Sequence, residues 1–473
     1  MAFFRGKVKK THRIATILLK SKTGLEIHAF LALAIPLASA QVAQAAVGFV
    51  DTLMMGRLGP ETLAAGGLAS TAFQLLLSTA SGLVMAVSPL VAEAYGAGHS
   101  NQIGSIGRQG LWLSLLLALP LMGMISQLDT ALLWLGQPPA LAALTGSYFK
   151  FIAWGIFPAL GFAMLRGYAS ALNQAPTVTV IVIIGTVFNI LGNYVLGFGQ
   201  WGFPRMELGG LGLASGLSFW LMFLLFLGYT LIHPRLKPYG LLQNLHQLQP
   251  RLLQRLITIG SAIAVTIALE YGLFAMVTFM MGILGTEMLA AHQTVYQTMY
   301  IIFMVPLGMS YAATARVGQW LGQQNADGAR RAGYVGIAVV AGFMGLTAIA
   351  LLLYRPQVIG IYLDIQDPAN ARILALALPM LLISVLAQVL DGIQRVAMGA
   401  LYGLQDTRVP MLLSGLAFGG SLASGYLLGF PLGLGGIGLW IGQSIGVAVA
   451  AVIFVGRFHW LTAQVSKGKI RHG

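Results

Sequence analysis

The sequence predicts an all-α integral membrane protein of twelve transmembrane helices, built as two parallel six-helix repeats. Three observations carry this expectation: an apolar composition, twelve separate runs long enough to cross a bilayer, and an internal match between the two halves.

Of the 473 residues, 57% are hydrophobic and 8% charged. Soluble domains carry about 25% charged residues, so most of this chain must face lipid or other apolar helices. The 60 glycines point the same way, because helix interfaces in membranes favour small residues that let backbones approach. A water-soluble reading would demand one very large core, and single cores stop growing at roughly 250–300 residues.

The net charge of +14 follows topology and gives no sign of a nucleic-acid partner. Arg5, Lys7, Lys9, Lys10, Arg13, Lys20 and Lys22 precede the first long apolar run, and Arg235, Lys237, Arg251 and Arg255 lie in the long polar segment at mid-chain. Both places read as cytoplasmic. With no cysteine, disulfides and thiolate metal sites are excluded. The basic start is too long for a secretory leader, and the run after it is too long for a cleaved apolar region. Residues 1–28, with Phe3, Phe4, Val8, Ile14, Ile17, Leu18 and Leu19 among the cations, form either a membrane-surface helix or a disordered basic leader.

A span needs roughly 20 mostly apolar residues. By that measure the N-terminal lobe, 29–232, holds spans at 29–55, 62–94, 105–127, 145–170, 177–199 and 209–232. The C-terminal lobe, 256–457, holds spans at 256–281, 287–320, 330–353, 372–402, 410–431 and 435–457. Ala131 to Leu135 is too brief to span and is read as an interfacial turn. A Pro-, Gln- and Arg-rich linker, 233–255, joins the lobes, and 458–473 is a cytoplasmic tail. With both termini cytoplasmic, only Arg57, Lys150, Arg205, Arg355 and Arg372 fall on the opposite side, and Arg395 falls within a span.

Self-comparison supplies the repeat. Met55-Gly56-Arg57-Leu58-Gly59-Pro60-Glu61-Thr62-Leu63-Ala64-Ala65 recurs 226 residues later as Met281-Gly282-Ile283-Leu284-Gly285-Thr286-Glu287-Met288-Leu289-Ala290-Ala291. The same offset carries Gly82 onto Gly308, Val91 onto Val317, Gly96 onto Gly322 and Gly209 onto Gly435. Blocks separated by six spans share one orientation, so the halves are parallel repeats with a path between them.

Three acids fall inside spans: Asp51, Glu270 and Asp391. A carboxylate at mid-bilayer costs roughly 2.5–3.5 kcal/mol on insertion scales, which makes each a functional candidate. Gln44 lies seven residues before Asp51 on the same helical face, and the repeat places Gln44 opposite Glu270. Phe274, four residues after Glu270, shares its face; an acid beside a ring suits a cation, although the ring also serves as ordinary packing. His292 and Gln293 either line the cavity or bond between helices. Asp391 has Gln388, Gln394 and Arg395 near it in sequence, so an ion pair with Arg395 is the structural alternative to a cation site. Asn189 and Asn193, four apart, form a stripe that faces Asp51 or serves as an interhelical amide ladder. Pro36 removes a backbone donor in mid-span and marks a candidate hinge.

The stretch Gln44-Ala45-Ala46-Val47-Gly48-Phe49-Val50-Asp51-Thr52-Leu53-Met54-Met55-Gly56, its counterpart ending Ala290-Ala291-His292-Gln293, and the turn Leu404-Gln405-Asp406-Thr407-Arg408-Val409-Pro410 resemble the multidrug and toxic compound extrusion transporters, most closely the NorM-like branch. The likeness covers about residues 25–457. It implies a V-shaped cleft between the lobes and antiport of organic cations and amphipathic drugs against Na+ or H+ across a bacterial inner membrane, by a monomer without a cofactor. On motif position, Glu270 and Asp391 resemble the family's C-terminal cation site, which would hold Na+ under sodium coupling. Asp51, with Asn189 and Asn193, resembles its proton-linked N-terminal acid. The tyrosine sometimes found one turn before the second acid has no counterpart here, where Ala387 stands. A lipid-linked precursor flippase of a related superfamily is the alternative reading. It calls for a strongly cationic cavity, whereas the embedded charges here are mainly acidic. The major facilitator class shares the outline, but Gly96 to Gly107 lacks its charged loop. No Walker loop, Cys/His cluster or Ser/His/Asp arrangement points to an enzyme.

Overall fold

A computed structural model describes residues 21–134, 136–364 and 366–466. The basic leader, read above as a surface helix or a disordered segment, lies outside these residues up to Lys20. Twelve helices long and apolar enough to span are found among the described residues. Those of the N-terminal lobe are α1 (Lys22–Leu58), α2 (Pro60–Gly96), α3 (Ser100–Ile125), α4 (Pro139–Ala171), α5 (Ala175–Gly197) and α6 (Glu207–Ile232). The C-terminal lobe has α7 (Pro250–Ile283), α8 (Thr286–Gly322), α9 (Ala326–Leu353), α10 (Ala371–Gly403), α11 (Arg408–Gly429) and α12 (Gly435–Ser466).

Local chemistry sets the helix ends. Ser21 caps α1 by accepting from the Gly24 amide at 2.9 Å, and Asn325 caps α9 by accepting from the Gly328 amide at 2.8 Å. Gly59 and Gly285, 226 residues apart, break the chain between α1 and α2 and between α7 and α8 with φ of 131° and 120°. Only glycine adopts such angles without strain. Several helices run past the expected ends, because polar residues at the membrane faces extend a helix that apolar counting truncates. Ala131 to Trp134, expected as a turn, belong to a short helix, Leu128–Trp134. Its start is organised by Asp129, whose carboxylate accepts from the Thr130 amide at 2.7 Å, and no proline interrupts it before Pro138.

The packing core explains how the lobes are arranged. One apolar cluster draws on both halves, from Phe30, Val91 and Leu165 to Ala313, Val396 and Phe458. Two others stay within single lobes: one around Met55, Phe73 and Leu211, the other around Met281, Val295 and Trp440. The shared cluster lies toward the end of the bundle where α1 begins and α12 finishes; the separate clusters lie toward the opposite end. The lobes are therefore joined at the termini end and parted at the other, which is a V-shaped cleft.

A pseudo-two-fold axis follows from reciprocal glycine contacts. A methyl group on Gly82 would stand 2.6 Å from the Cα of Ala264, and one on Gly308 would stand 2.4 Å from the Cα of Ala38. The repeat offset converts the first pair into the second. Likewise Gly96 packs on the Gln319 carbonyl and Gly322 on that of Glu93. Without side chains at these points the backbones of α2 and α7, and of α1 and α8, lie against one another.

Hydrogen bonds between the lobes sit at mid-depth or toward the termini end. Arg316 grips Glu26 through two bonds of 2.8 and 2.7 Å, and Trp320 donates to the same carboxylate at 2.9 Å. Gln319 donates to the Ala171 carbonyl and to Asn173, and Gln405 donates to Glu93 at 2.6 Å. Among the described residues the outermost is Ser78 with Tyr271, 3.2 Å apart. The segment between α6 and α7 straps onto α3, where Arg108, Gln109 and Trp112 donate to the carbonyls of Gly240, Gln247 and Leu245.

Candidate functional site

In the N-terminal lobe, α1 carries Asp51 in its outer half, where the lobes part. The amide of Asn193 donates to the Asp51 carboxylate at 2.5 Å and also meets the Asn189 oxygen at 3.1 Å. Asn189 in turn donates to Ser215 on α6 at 3.1 Å. Both asparagines are buried and Asp51 is half-buried. The stripe thus faces the acid, and Asn193 opens a π-helical turn, Asn193–Gly197, that ends α5. Such widened turns recur at functional sites because they redirect side chains that a regular helix would turn away.

One face of α1 further in bears Gln44, half-buried, and Gln41, buried. Arg166 of α4 donates to Gln41 at 2.8 Å and to Gln44 at 3.3 Å. Its guanidinium lies 5.0 Å from the ring centroid of Tyr311, across the lobe boundary. Neither Arg166 nor Gln41 is among the residues singled out from the sequence. The available signal was an arginine within Ala163-Met164-Leu165-Arg166-Gly167 and a second glutamine three residues before Gln44. Pro36 lies within α1, which continues through it as helix, and its carbonyl accepts from Thr179 of α5 at 2.6 Å.

In the C-terminal lobe the structural alternative for Asp391, an ion pair with Arg395, is not formed. Arg395 forms its ion pair with Glu270 of α7, and its guanidinium lies 4.8 Å from the centroid of the Phe303 ring. Proximity in sequence had suggested Asp391, one turn before Arg395 on α10. A long side chain reaches across the helix boundary, so the neighbour in sequence does not fix the partner. Asp391 is half-buried and forms no hydrogen bond or ion pair among the described residues. The Glu270 side chain keeps 16% of its surface exposed and that of Arg395 keeps 9%, so the pair is not sealed from the space beside it.

Aromatic rings flank this acid. Phe274 packs on Tyr296 at 5.4 Å between centroids, and Tyr296 stacks on Tyr300 at 6.2 Å. Gln293 is half-buried. His292, named above as a candidate cavity residue, is instead 1% exposed. It bonds Thr278 at 3.1 Å and packs against Trp440, so it ties helices within its own lobe. The repeat places Gly66 at the matching position, and the larger C-terminal residue fills space that the smaller one leaves to Met55 and Leu208.

Two six-helix lobes that share a core at one end and part at the other, with carboxylates on both sides of the parting, define a two-lobed membrane transporter. The MatE family model matches residues 36–195 and 262–427. The chain belongs to that family, the transporters it resembles in sequence. It is 59% identical over 438 residues to a probable multidrug resistance protein NorM of Synechococcus sp., covering 92% of this chain and 94% of the relative. A protein described in the same words from Synechocystis sp. is 52% identical over 434 residues, again covering 92% and 94%. Among solved structures, a MATE in the bent conformation superposes with a TM-score of 0.85 at 19% identity, covering 95% of this chain and 99% of that one. An outward-facing multidrug resistance MATE transporter gives 0.85 at 20% identity, covering 93% and 96%.

Proposed function

We propose that this chain is a secondary active multidrug exporter, which carries organic cations and amphipathic drugs out of the cytoplasm in exchange for Na+ or H+ by alternating access. The observation that carries this reading is the placement of Asp51 in one lobe and Glu270 and Asp391 in the other, in a cleft whose termini end is closed by the shared core. With both termini in the cytoplasm, that geometry is the outward-facing state.

Competition at the acids couples the two fluxes. Glu270 already holds a cation, the guanidinium of Arg395, while Asp391, one turn before Arg395 on α10, has no hydrogen bond or ion pair among the described residues. Together the three groups carry one net negative charge, which suits one monovalent cation at a time. An entering ion or proton that neutralises this charge, or that of Asp51, releases a bound organic cation to the outside. The membrane potential supplies roughly 2.3 kcal/mol per charge per 100 mV, close to a fiftyfold concentration ratio at about 1.4 kcal/mol per factor of ten. The flippase reading is less well supported, since among the described residues Arg166 and Arg395 are the cations that meet the cleft-facing groups, and the second is already paired.

The test is efflux of a cationic dye such as ethidium from proteoliposomes, with Na+ and pH gradients imposed separately. Uphill export driven by one gradient supports the proposal and identifies the coupling ion. Export that requires ATP and ignores both gradients would overturn it.

A further inference from the structure

We propose that Arg166 is a carboxylate-binding residue at the floor of the cleft, which fits the transporter for amphiphiles that carry a carboxylate as well as an amine. The inference rests on the export reading above and names a specificity-determining residue within it.

Arg166 is placed where the lobes begin to part. Met164 and Leu165 beside it belong to the shared core, whereas Leu160, further out on α4, belongs to the core of the N-terminal lobe alone. A helical side chain leans toward the start of its helix, so Arg166 leans outward, toward the parting. It bonds Gln41 and Gln44 of its own lobe and lies over Tyr311 of the other. Arg166, Gln44 and Tyr311 all keep part of their surface uncovered.

Its charge has no counter-ion among the described residues. Arg316, Arg395 and Arg457 each hold a carboxylate; the partners of Arg166 are two neutral amides and a ring. The repeat shows what is different. Gln44 occupies the position of Glu270, so each lobe sets an arginine against this position of its first helix, but only the C-terminal lobe supplies the anion. A charge at this depth is costly unless a partner meets it. Both bonds to the glutamines come from one terminal nitrogen of the guanidinium. The remaining N–H groups include the paired edge that carboxylates bind with two parallel bonds. Gln44 and Asp51 are seven residues apart, about 10 Å along α1 at 1.5 Å per residue. A drug-sized molecule therefore spans from Arg166 to an acid with its carboxylate and amine at opposite ends.

The experiment compares an amphiphilic amine bearing a free carboxylate with its methyl ester, both transported by full-length protein in proteoliposomes. Wild type is expected to export the acid in preference to the ester, and Arg166→Gln to lower that acid-over-ester ratio at least tenfold. Arg166→Lys keeps the charge and loses the fork, so its ratio is expected to fall between the two and serves if the glutamine variant folds poorly. An unchanged ratio in both variants, with both compounds slowed alike, overturns the carboxylate role and leaves Arg166 a clamp between lobes. The ester tests the broader reading separately: a wild-type protein that exports neither compound nor a simple cationic dye fails as an exporter, and this inference fails with it.

Discussion

Asn193 donates to the Asp51 carboxylate at 2.5 Å from the first residue of a π-helical turn, and the same amide nitrogen meets Asn189. A hydrogen bond to an ionised acceptor is stronger than one to a neutral one. Neutralising Asp51 therefore loosens the tie between α1 and α5. We expect Asp51→Asn to slow dye export by at least about tenfold, or roughly 1.4 kcal/mol in the limiting step. Asn193→Ala should give a smaller loss, since it removes the tie and keeps the acid. Initial efflux rates normalised to protein in the membrane check both, and unimpaired cycling of Asp51→Asn would show the N-terminal lobe to be passive.

Glu270 and Arg395 allow stability to be separated from transport. Removing one member of a mostly buried pair leaves an uncompensated charge, which typically costs about 3–5 kcal/mol, while replacing both is far milder. We expect Glu270→Gln to lower the melting temperature and abolish ethidium export. In Glu270→Gln with Arg395→Gln the melting temperature should return toward wild type while export stays lost. Recovery of export in the double variant would reduce Glu270 to a structural partner of Arg395 and remove it from the cation site.

The fold was legible because it is written in long apolar runs and a constant offset, signals that survive local irregularity. The match of Gly82 with Gly308, seen first as spacing, becomes a pair of reciprocal backbone contacts once the helices are placed. Within the site, spacing placed Asn189 and Asn193 on one face, since residues four apart share it, but left open whether they meet Asp51 or form an amide ladder; Asn193 does both and Asn189 only the second. The partner of Arg395 was not legible, because spacing along one helix says nothing of the neighbouring helix within reach of a long side chain. Arg166 was missed because counting charges along the chain assigns a residue to a depth by its own Cα, whereas its guanidinium acts at the level of Gln41 and Gln44. His292 went the opposite way: a polar residue beginning a span looks cavity-facing until Thr278 and Trp440 enclose it.

The closed end of the cleft is held by polar ties that any inward opening must break. Glu93 and Gln319 occupy matching repeat positions, and each reaches the turn before the fifth span of the opposite lobe: Glu93 accepts from Gln405, and Gln319 donates to Asn173. Asn173 and Gln405 both have φ of 60°, so the two turns present these side chains alike. The bond between Glu26 and Arg316 is added to this pair without a symmetric copy, and its carboxylate is nearly inaccessible at 2% exposure. Truncating one partner of a buried, hydrogen-bonded charge pair commonly costs about 2–5 kcal/mol, enough to shift a two-state equilibrium by tenfold or more. Glu26→Gln should therefore favour states open at the termini end, seen as severalfold faster deuterium uptake in the adjoining ends of α2 and α8. Glu26→Arg with Arg316→Glu should restore protection in part, since Trp320 also donates to the native carboxylate. Uptake unchanged in Glu26→Gln would mean that the shared apolar core closes this end without help from the ion pair.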